Sequence, residues 1–73
     1  MSLGDLKPGE TGIIAGFSGV LELQSRLVEM GLLKGTFIKL IKKTPFNGPL
    51  EIKVRDYYVS LRLEDARHIL LSK

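Results

Sequence analysis

The chain has 73 residues, enough for one small domain and too few for an enzyme with a cleft between two lobes. It has no cysteine, which excludes disulfides and thiolate zinc sites, and its 44% hydrophobic residues are too many for an intrinsically disordered chain. The net charge is +3, and nine of the 11 Lys and Arg residues lie after residue 33, so nucleic acid, anionic lipid and acidic proteins stay open as partners.

The first half of the chain predicts one strand and one helix. Pro8-Gly9 marks a turn before residues 11–17, an apolar run with the length of a strand. A helix is predicted over about residues 19–30, because four apolar residues recur there at helical spacing and form one stripe, Val20, Leu23, Leu27 and Met30. We expect this stripe to face the core.

Both ends of this helix carry capping signals. We expect the Ser18 side chain to cap the first turn, where the carboxylate of Glu22 suits the positive end of the helix dipole. Gly31 is placed for the left-handed position that follows many helices. Leu32 would then fold back onto Leu27, which is the apolar contact of a Schellman motif.

The second half of the chain predicts strands joined by tight turns. Three segments have the length or the alternation of strands, at residues 36–43, 50–55 and 57–63. Asn47-Gly48 is expected to turn the first hairpin and Asp56 the second, since Asn, Gly and Asp tolerate left-handed backbone. A helical turn over about residues 64–67 and a short strand over residues 68–71 complete the chain.

These elements predict a mainly β fold, a small five-stranded SH3-like barrel that forms a single domain over residues 1–73. Short strands with one apolar face bury that face by closing on themselves, which also removes the sheet edges. The helix between the first two strands would cover one opening. The core should be aliphatic because aromatic residues are few, and alternation places Tyr57, Val59 and Leu61 toward the inside.

The chain carries no recognisable targeting or membrane segment. Residues 1–6 have neither the basic start nor the long apolar stretch of a signal peptide. The longest apolar stretches are far shorter than the roughly 20 residues needed to span a bilayer. We therefore expect a cytoplasmic protein that does not insert into the membrane.

No arrangement of residues predicts catalysis or a cofactor. His68 is the only histidine and has no cysteine to activate, and the adjacent carboxylates Glu64 and Asp65 point apart on a helical turn. His68 and Glu64 are weak candidates for a metal site because they would share a face of that turn, but two ligands are fewer than zinc or iron usually takes. We expect no catalytic residue, no bound cofactor and no metal site.

The basic residues of the second half allow an alternative interpretation, nucleic-acid binding. Small barrels bind nucleic acids through strands and loops, but single strands also require aromatic residues between the basic ones. Few aromatic residues lie near the basic ones, among them Phe46, Tyr57 and Tyr58. We favour the interpretation that Lys and Arg fill outward strand positions, where they discourage edge pairing.

Several segments, taken in order, resemble those of a known family. The most specific is Arg26-Leu27-x-x-Met30-Gly31-Leu32-x-x-Gly35, and the others are Pro8-Gly9, residues 12–16, Thr44-Pro45 with Gly48-Pro49-Leu50, Val59 with Leu61-Arg62, and Glu64-Asp65-Ala66 with Ile69. On these residues, the chain resembles the FeoA family from about residue 3 to residue 71. Asp56 departs from the pattern, since Gly or Asn is expected in that turn.

The resemblance implies an SH3-like barrel with a non-enzymatic accessory role in bacterial ferrous iron uptake. FeoA-like proteins are thought to act with FeoB, a membrane permease with a cytosolic GTPase domain, so the implied partner is a FeoB-type permease. The same module forms the C-terminal domain of iron- and manganese-dependent repressors. The alternative is therefore a stand-alone regulatory, nucleic-acid-binding or metal-binding module. A homo-oligomer is also open, because small barrels pair through exposed edges.

Five residues are expected to contact the partner: Arg26, Lys42, Lys43, Phe46 and Arg62. The two arginines belong to the resembling segments, and each is equally well explained by an ion pair, which for Arg26 would involve Glu22 or Glu29. Phe46 allows two interpretations. It is an apolar anchor at a hairpin tip between two prolines, or it folds back over the end of the barrel.

Overall fold

The fold is a five-stranded antiparallel sheet with an inserted helix. The computed structural model describes residues 1–72. In chain order its elements are a 3-10 helix Leu3–Asp5, β1 Thr11–Phe17, α1 Leu21–Glu29, β2 Phe37–Lys43, β3 Leu50–Val54, β4 Tyr57–Leu61, α2 Leu63–Ala66 and β5 Ile69–Ser72. The predicted mainly β fold, its inserted helix and its short helical turn are confirmed. Among the helices of residues 1–72, none is long and apolar enough to cross a membrane.

The sheet curves without closing completely. Its strands pair in the order β4-β3-β2-β1-β5, and bulges in β1 and β2 bend it. The N-terminus covers the edge of β5, where Ser2 bridges Leu70 and the Leu71 N–H donates to the carbonyl oxygen of Met1 at 2.9 Å. Within residues 1–72, β4 and β5 do not pair, contrary to the expectation that closure removes both sheet edges.

The core is aliphatic, as the scarcity of aromatic residues predicts. Its large, fully buried side chains are Leu3, Leu6, Ile14, Leu27, Leu32, Ile38, Leu40, Leu50, Ile52, Val54 and Ile69. The helix contributes Leu23 and Leu27, whereas Val20 is 69% exposed and Met30 also lies at the surface. The predicted apolar stripe is therefore too long, because Val20 precedes the first helical residue and Met30 follows the last.

The beginning of α1 differs from the prediction. The helix begins at Leu21, Val20 occupies the N-cap position, and no side chain caps the first turn. Ser18 lies too early in the chain to do so, and its hydroxyl lies 3.0 Å from Nδ1 of His68. The Ser18 N–H also donates to the carbonyl oxygen of His68. Ser18 therefore ties the end of β1 to the segment that precedes β5.

The end of α1 is the predicted Schellman motif. Gly31 has a φ of 88°, in the left-handed region. The Gly31 N–H donates to the carbonyl oxygen of Val28 at 2.9 Å, and the Leu32 N–H donates to that of Leu27 at 3.1 Å. The side chains of Leu27 and Leu32 are both buried, so the local signals predicted this turn correctly.

Tyr57 packs against this helix end from β4. Its hydroxyl donates to the carbonyl oxygen of Met30 at 3.1 Å, and the hydroxyl oxygen of Tyr57 occupies the space that a Cβ on Gly31 would need. Tyr57 is 40% exposed, so the expectation that alternation points it inward is wrong. The physical reason is that the first residue of β4 lies beside the helix end rather than over the core.

Both hairpin turns place their left-handed residues one position earlier than predicted. In the β2–β3 hairpin, Phe46 and Asn47 have a φ of 60°, and Gly48 is not among the residues with positive φ. Glycine is nevertheless needed at position 48, because Thr44 lies where a Cβ would sit. In the β3–β4 turn, the left-handed residue is Arg55, with a φ of 55°, and not Asp56.

Arg55→Gly is expected to stabilise the domain by about 0.5–1 kcal/mol, because glycine adopts this backbone without the steric cost that an L side chain carries. Thermal unfolding followed by far-ultraviolet circular dichroism measures the change. Arg55→Ala keeps the Cβ, so this control is expected to shift the free energy of unfolding by less than about 0.5 kcal/mol. Equal effects of the two substitutions would show that the left-handed backbone costs nothing.

Candidate functional site

The tip of the β2–β3 hairpin carries the most exposed aromatic residue of the described chain. Phe46 is 99% exposed, so its side chain points away from the domain and does not fold back over the barrel end. The loop beneath it is held by two backbone hydrogen bonds, from Thr44 N–H to Pro49 and from Gly48 N–H to Pro45. The flanking prolines restrict the loop further. The ring is thus presented on a well-defined turn.

A cleft separates the hairpin from α2. Its volume is about 520 Å³, and it is lined by Asn47, Gly48, Pro49, Arg62, Leu63, Glu64 and Arg67. On the hairpin side the polar groups are backbone atoms and the side-chain amide of Asn47. On the α2 side they are the guanidinium groups of Arg62 and Arg67 and the carboxylate of Glu64. The cleft therefore brings Arg62 beside the hairpin that carries Phe46, although 16 positions separate the two residues in the sequence.

The two lysines at the end of β2 differ in their surroundings. Lys42 is exposed and stands opposite Glu51 in the β2–β3 ladder. The Lys43 ammonium donates to the carbonyl oxygen of Gly4 at 3.0 Å, so it is already engaged. Asp5 follows Gly4, and its pKa is lowered, mainly by the hydrogen bond that the Ser2 backbone N–H donates to its carboxylate.

The two arginines of the predicted site both lie near acidic residues of α2. Arg26 forms an ion pair of 4.0 Å with Asp65, not with Glu22 or Glu29 on its own helix. Arg62 forms an ion pair of 3.8 Å with Glu64, and both side chains are well exposed. An exposed pair such as Arg62–Glu64 is worth about 0–1 kcal/mol, so Arg62 is not explained by stability alone.

The structure brings four of the five predicted contact residues to one end of the sheet, Lys42, Lys43, Phe46 and Arg62. Lys43, Leu50 and Leu61 are consecutive cross-strand neighbours there, and Arg62 follows Leu61. Arg26 reaches this end only through its contact with Asp65.

We call Phe46, Asn47, Arg62, Glu64 and Arg67 the hairpin–α2 surface. Sequence reasoning missed Arg67, since no local signal shows that α2 lies against the hairpin.

The two weak metal candidates do not form a metal centre with other ligands. Nδ1 of His68 is hydrogen-bonded to Ser18, and Glu64 lies beside Arg62. Residues 1–72 contain no group of three or more His, Asp or Glu side chains that could hold a metal ion. Around His68 and Glu64, the described donors are therefore fewer than the three or four that zinc usually takes.

Comparison with known proteins identifies the family. A family model described as the FeoA domain matches residues 1–73. Over 69 residues, the chain is 30% identical to a putative Fe(2+) transport protein A of Campylobacter jejuni, with 94% of this chain and 93% of that protein covered. It is 35% identical, also over 69 residues, to a Fe(2+) transport protein A/Fe(2+) transporter FeoB fusion protein of Porphyromonas gingivalis. That match covers 94% of this chain but only 8% of the fusion protein.

Solved structures share the fold. A crystal structure of an iron uptake regulatory protein (FeoA) has a TM-score of 0.88 at 27% identity, with 97% of this chain and 93% of that one covered. Stenotrophomonas maltophilia FeoA complexed with zinc, described as an SH3 domain protein, has a TM-score of 0.85 at 22% identity, with 99% and 89% covered. A manganese-dependent transcriptional repressor has a TM-score of 0.88 at 19% identity, with 100% and 41% covered.

The last two likenesses show the fold alone, which is SH3-like as predicted, and they transfer no activity. The family itself rests on the match over all residues and on the Campylobacter relative, whose length is close to that of this chain. On these two findings, the chain belongs to the FeoA family.

Proposed function

We propose that the protein is a non-enzymatic accessory protein of ferrous iron transport that acts by binding a FeoB-type permease. Membership of the FeoA family supports the role in ferrous iron transport. Contact with a permease is supported by the Porphyromonas relative, which is named as a fusion of transport protein A with transporter FeoB. Fusion holds two domains at a high effective concentration, which is useful when they act on each other.

The hairpin–α2 surface is the docking site we propose, and Phe46 is the observation that carries it. An almost fully exposed phenyl ring contributes little to the stability of its own domain. Its φ of 60° is a conformation that bulky side chains rarely adopt. Strained residues are concentrated at binding sites, and exposed aromatic residues are typical anchors of protein interfaces.

The charged residues around Phe46 fit the rim of such an interface. The Arg62–Glu64 ion pair is exposed, so either group can exchange its partner at little cost. Lys42 and Arg67 are also exposed. Smaller contributions are expected from Lys43 and Arg26, because both are already engaged within the domain.

Phe46→Ala is expected to weaken binding to the cytosolic part of a FeoB-type permease by at least about tenfold, because aromatic anchors typically contribute about 2 kcal/mol or more. Isothermal titration calorimetry with the purified cytosolic domain measures the affinity. The thermal midpoint of the variant should equal that of the wild type, since the ring is exposed.

Tyr58→Ala is the matched control for this experiment. Tyr58 is also an exposed aromatic residue, but it lies at the far end of β4 from the hairpin. We expect its removal to change the affinity by less than about twofold. Unchanged binding of Phe46→Ala would exclude this surface, and no binding of the wild-type protein would contradict the proposed function itself.

A further inference from the structure

A second surface lies on the outer side of the sheet, at the opposite end of β3 from the hairpin–α2 surface. A groove of about 470 Å³ is lined there by Gly35, Thr36, Phe37, Lys39, Lys53 and Arg55. Tyr58 is the cross-strand neighbour of Lys53 and extends this surface onto β4. We call Phe37, Lys39, Lys53, Arg55 and Tyr58 the basic sheet face.

The cations of this face lack counter-charges. Lys39 and Lys53 stand directly opposite each other in the β2–β3 ladder, an arrangement of like charges that destabilises a sheet. In the part of the chain that the structure describes, the ion pairs involve other residues, and Lys39, Lys53 and Arg55 have none. Further along the same strands Lys42 stands opposite Glu51, so opposite charges are cross-strand neighbours elsewhere in this ladder.

Arg55 adds its charge at a cost in backbone conformation. Its φ of 55° is one that glycine adopts more readily than arginine. Three like charges in one groove, one of them on a strained backbone, oppose folding. Such costs are typical of sites that bind a ligand or a surface of opposite charge.

Exposed apolar side chains surround these cations. Phe37 is 59% exposed and Tyr58 is 60% exposed. Ile13, the cross-strand neighbour of Phe37 on β1, is also exposed, as is Leu33 in the turn that leads into β2. The face therefore presents cations between apolar groups.

We propose that the basic sheet face binds the surface of an anionic phospholipid bilayer. Lys and Arg are attracted to anionic headgroups, while aromatic and aliphatic side chains enter the interface between headgroups and acyl chains. A nucleic acid fits less well, because bases stack on adjacent aromatic rings, whereas two lysines separate Phe37 from Tyr58. Exposed Ile13 offers a base no stacking surface.

This inference does not rest on the proposed function, although the two are compatible. The ends of a five-residue strand such as β3 are about 13 Å apart, so the two surfaces lie at separate ends of the sheet. A protein held on a bilayer by the basic sheet face would leave the hairpin–α2 surface free for a second partner.

Co-sedimentation with vesicles of phosphatidylglycerol and phosphatidylcholine tests the proposal. Lys39→Gln/Lys53→Gln is expected to lower the partition coefficient about 25-fold, since each cation near an anionic surface contributes about fivefold. Arg62→Gln/Arg67→Gln makes the same change in net charge at the other end of the sheet. This control should lower binding by less than about twofold, because that end lies beyond one Debye length of about 8–10 Å.

Four further measurements test the proposal. Phe37→Ala should lower the partition coefficient about fivefold, because part of the ring leaves water on binding. Vesicles of phosphatidylcholine alone should not retain the protein, and raising the salt from about 0.1 to about 0.5 M should release it from anionic vesicles. Lys39→Gln/Lys53→Gln should be at least as stable as the wild type, because the substitutions remove a like-charge pair.

Three outcomes would overturn the proposal. The first is unchanged vesicle binding by Lys39→Gln/Lys53→Gln, and the second is an equal loss in the arginine control. The third is no binding of the wild-type protein to anionic vesicles, and its retention on a single-stranded oligonucleotide would then assign the face to nucleic acid. Because the permease experiment depends on Phe46 and not on these lysines, the failure of one proposal leaves the other standing.

Discussion

Gly31→Ala is expected to destabilise the domain by about 3 kcal/mol, a large part of the 3–5 kcal/mol that a core of this size supplies. Two costs add. Alanine at a φ of 88° carries the strain of left-handed backbone. Its Cβ would also displace the Tyr57 hydroxyl and break the hydrogen bond from that hydroxyl to Met30. Urea unfolding followed by circular dichroism measures the loss.

Gly35→Ala separates these two costs. Gly35 has nearly the same backbone angle, a φ of 90°, but a Cβ there would meet no atom within 4 Å. Its substitution should therefore cost only the strain, about 1–2 kcal/mol. In a Tyr57→Phe background, the oxygen that blocks a Cβ at Gly31 is gone, and Gly31→Ala should cost about the same as Gly35→Ala. An equal cost of the two single substitutions would show that contact with Tyr57 is unimportant.

The end of α1 shows what a short sequence can predict. The Schellman motif involves Leu27, Val28, Gly31 and Leu32, which lie within six consecutive residues, so all of its information is local. The strands are predicted for the same reason, since alternation over five residues is enough to indicate one buried face. Tight turns then make β2, β3 and β4 neighbours in the sheet.

Three of the wrong predictions concern contacts between residues that are distant in the sequence. Ser18 lies before the N-cap position of the helix, and its hydroxyl is hydrogen-bonded to His68, 50 positions away. Arg26 pairs with Asp65 on α2, although two glutamates are available on its own helix. Tyr57 is held at the surface by Met30. In each case a tertiary contact outweighs a weak local preference, and the sequence gives no sign of it.

The candidate surfaces were predictable only in part. The position of Phe46 at a hairpin tip between prolines is predictable, and its exposure is one of two interpretations that the sequence leaves equally open. Arg67 joins the cleft only because α2 lies against the hairpin. Alternation predicts that Lys39 and Lys53 both point outward. It does not predict that they face each other, because the register of β2 against β3 also depends on the irregularity between Leu40 and Lys42.

Leu27→Ala is the second substitution that is expected to remove most of the stability, about 3 kcal/mol. The Leu27 side chain is almost completely buried where α1 meets the core. Alanine leaves a cavity there, and the surrounding β-sheet can collapse into it only in part. Because alanine is the best helix former, helix propensity adds no cost and the loss reports packing alone. Urea unfolding measures the loss.

Val20→Ala is the matched control, because the apolar spacing alone assigns Val20 and Leu27 to the same stripe. Val20 is largely exposed and precedes the first helical residue, so its truncation should cost less than about 0.5 kcal/mol. Equal costs would contradict the packing of α1 described above.

Since α1 contacts the core through Leu23 and Leu27, Leu27→Ala should also speed hydrogen exchange of the α1 amides more than that of the β2 amides. Such a difference would show that the helix opens as a unit before the sheet does.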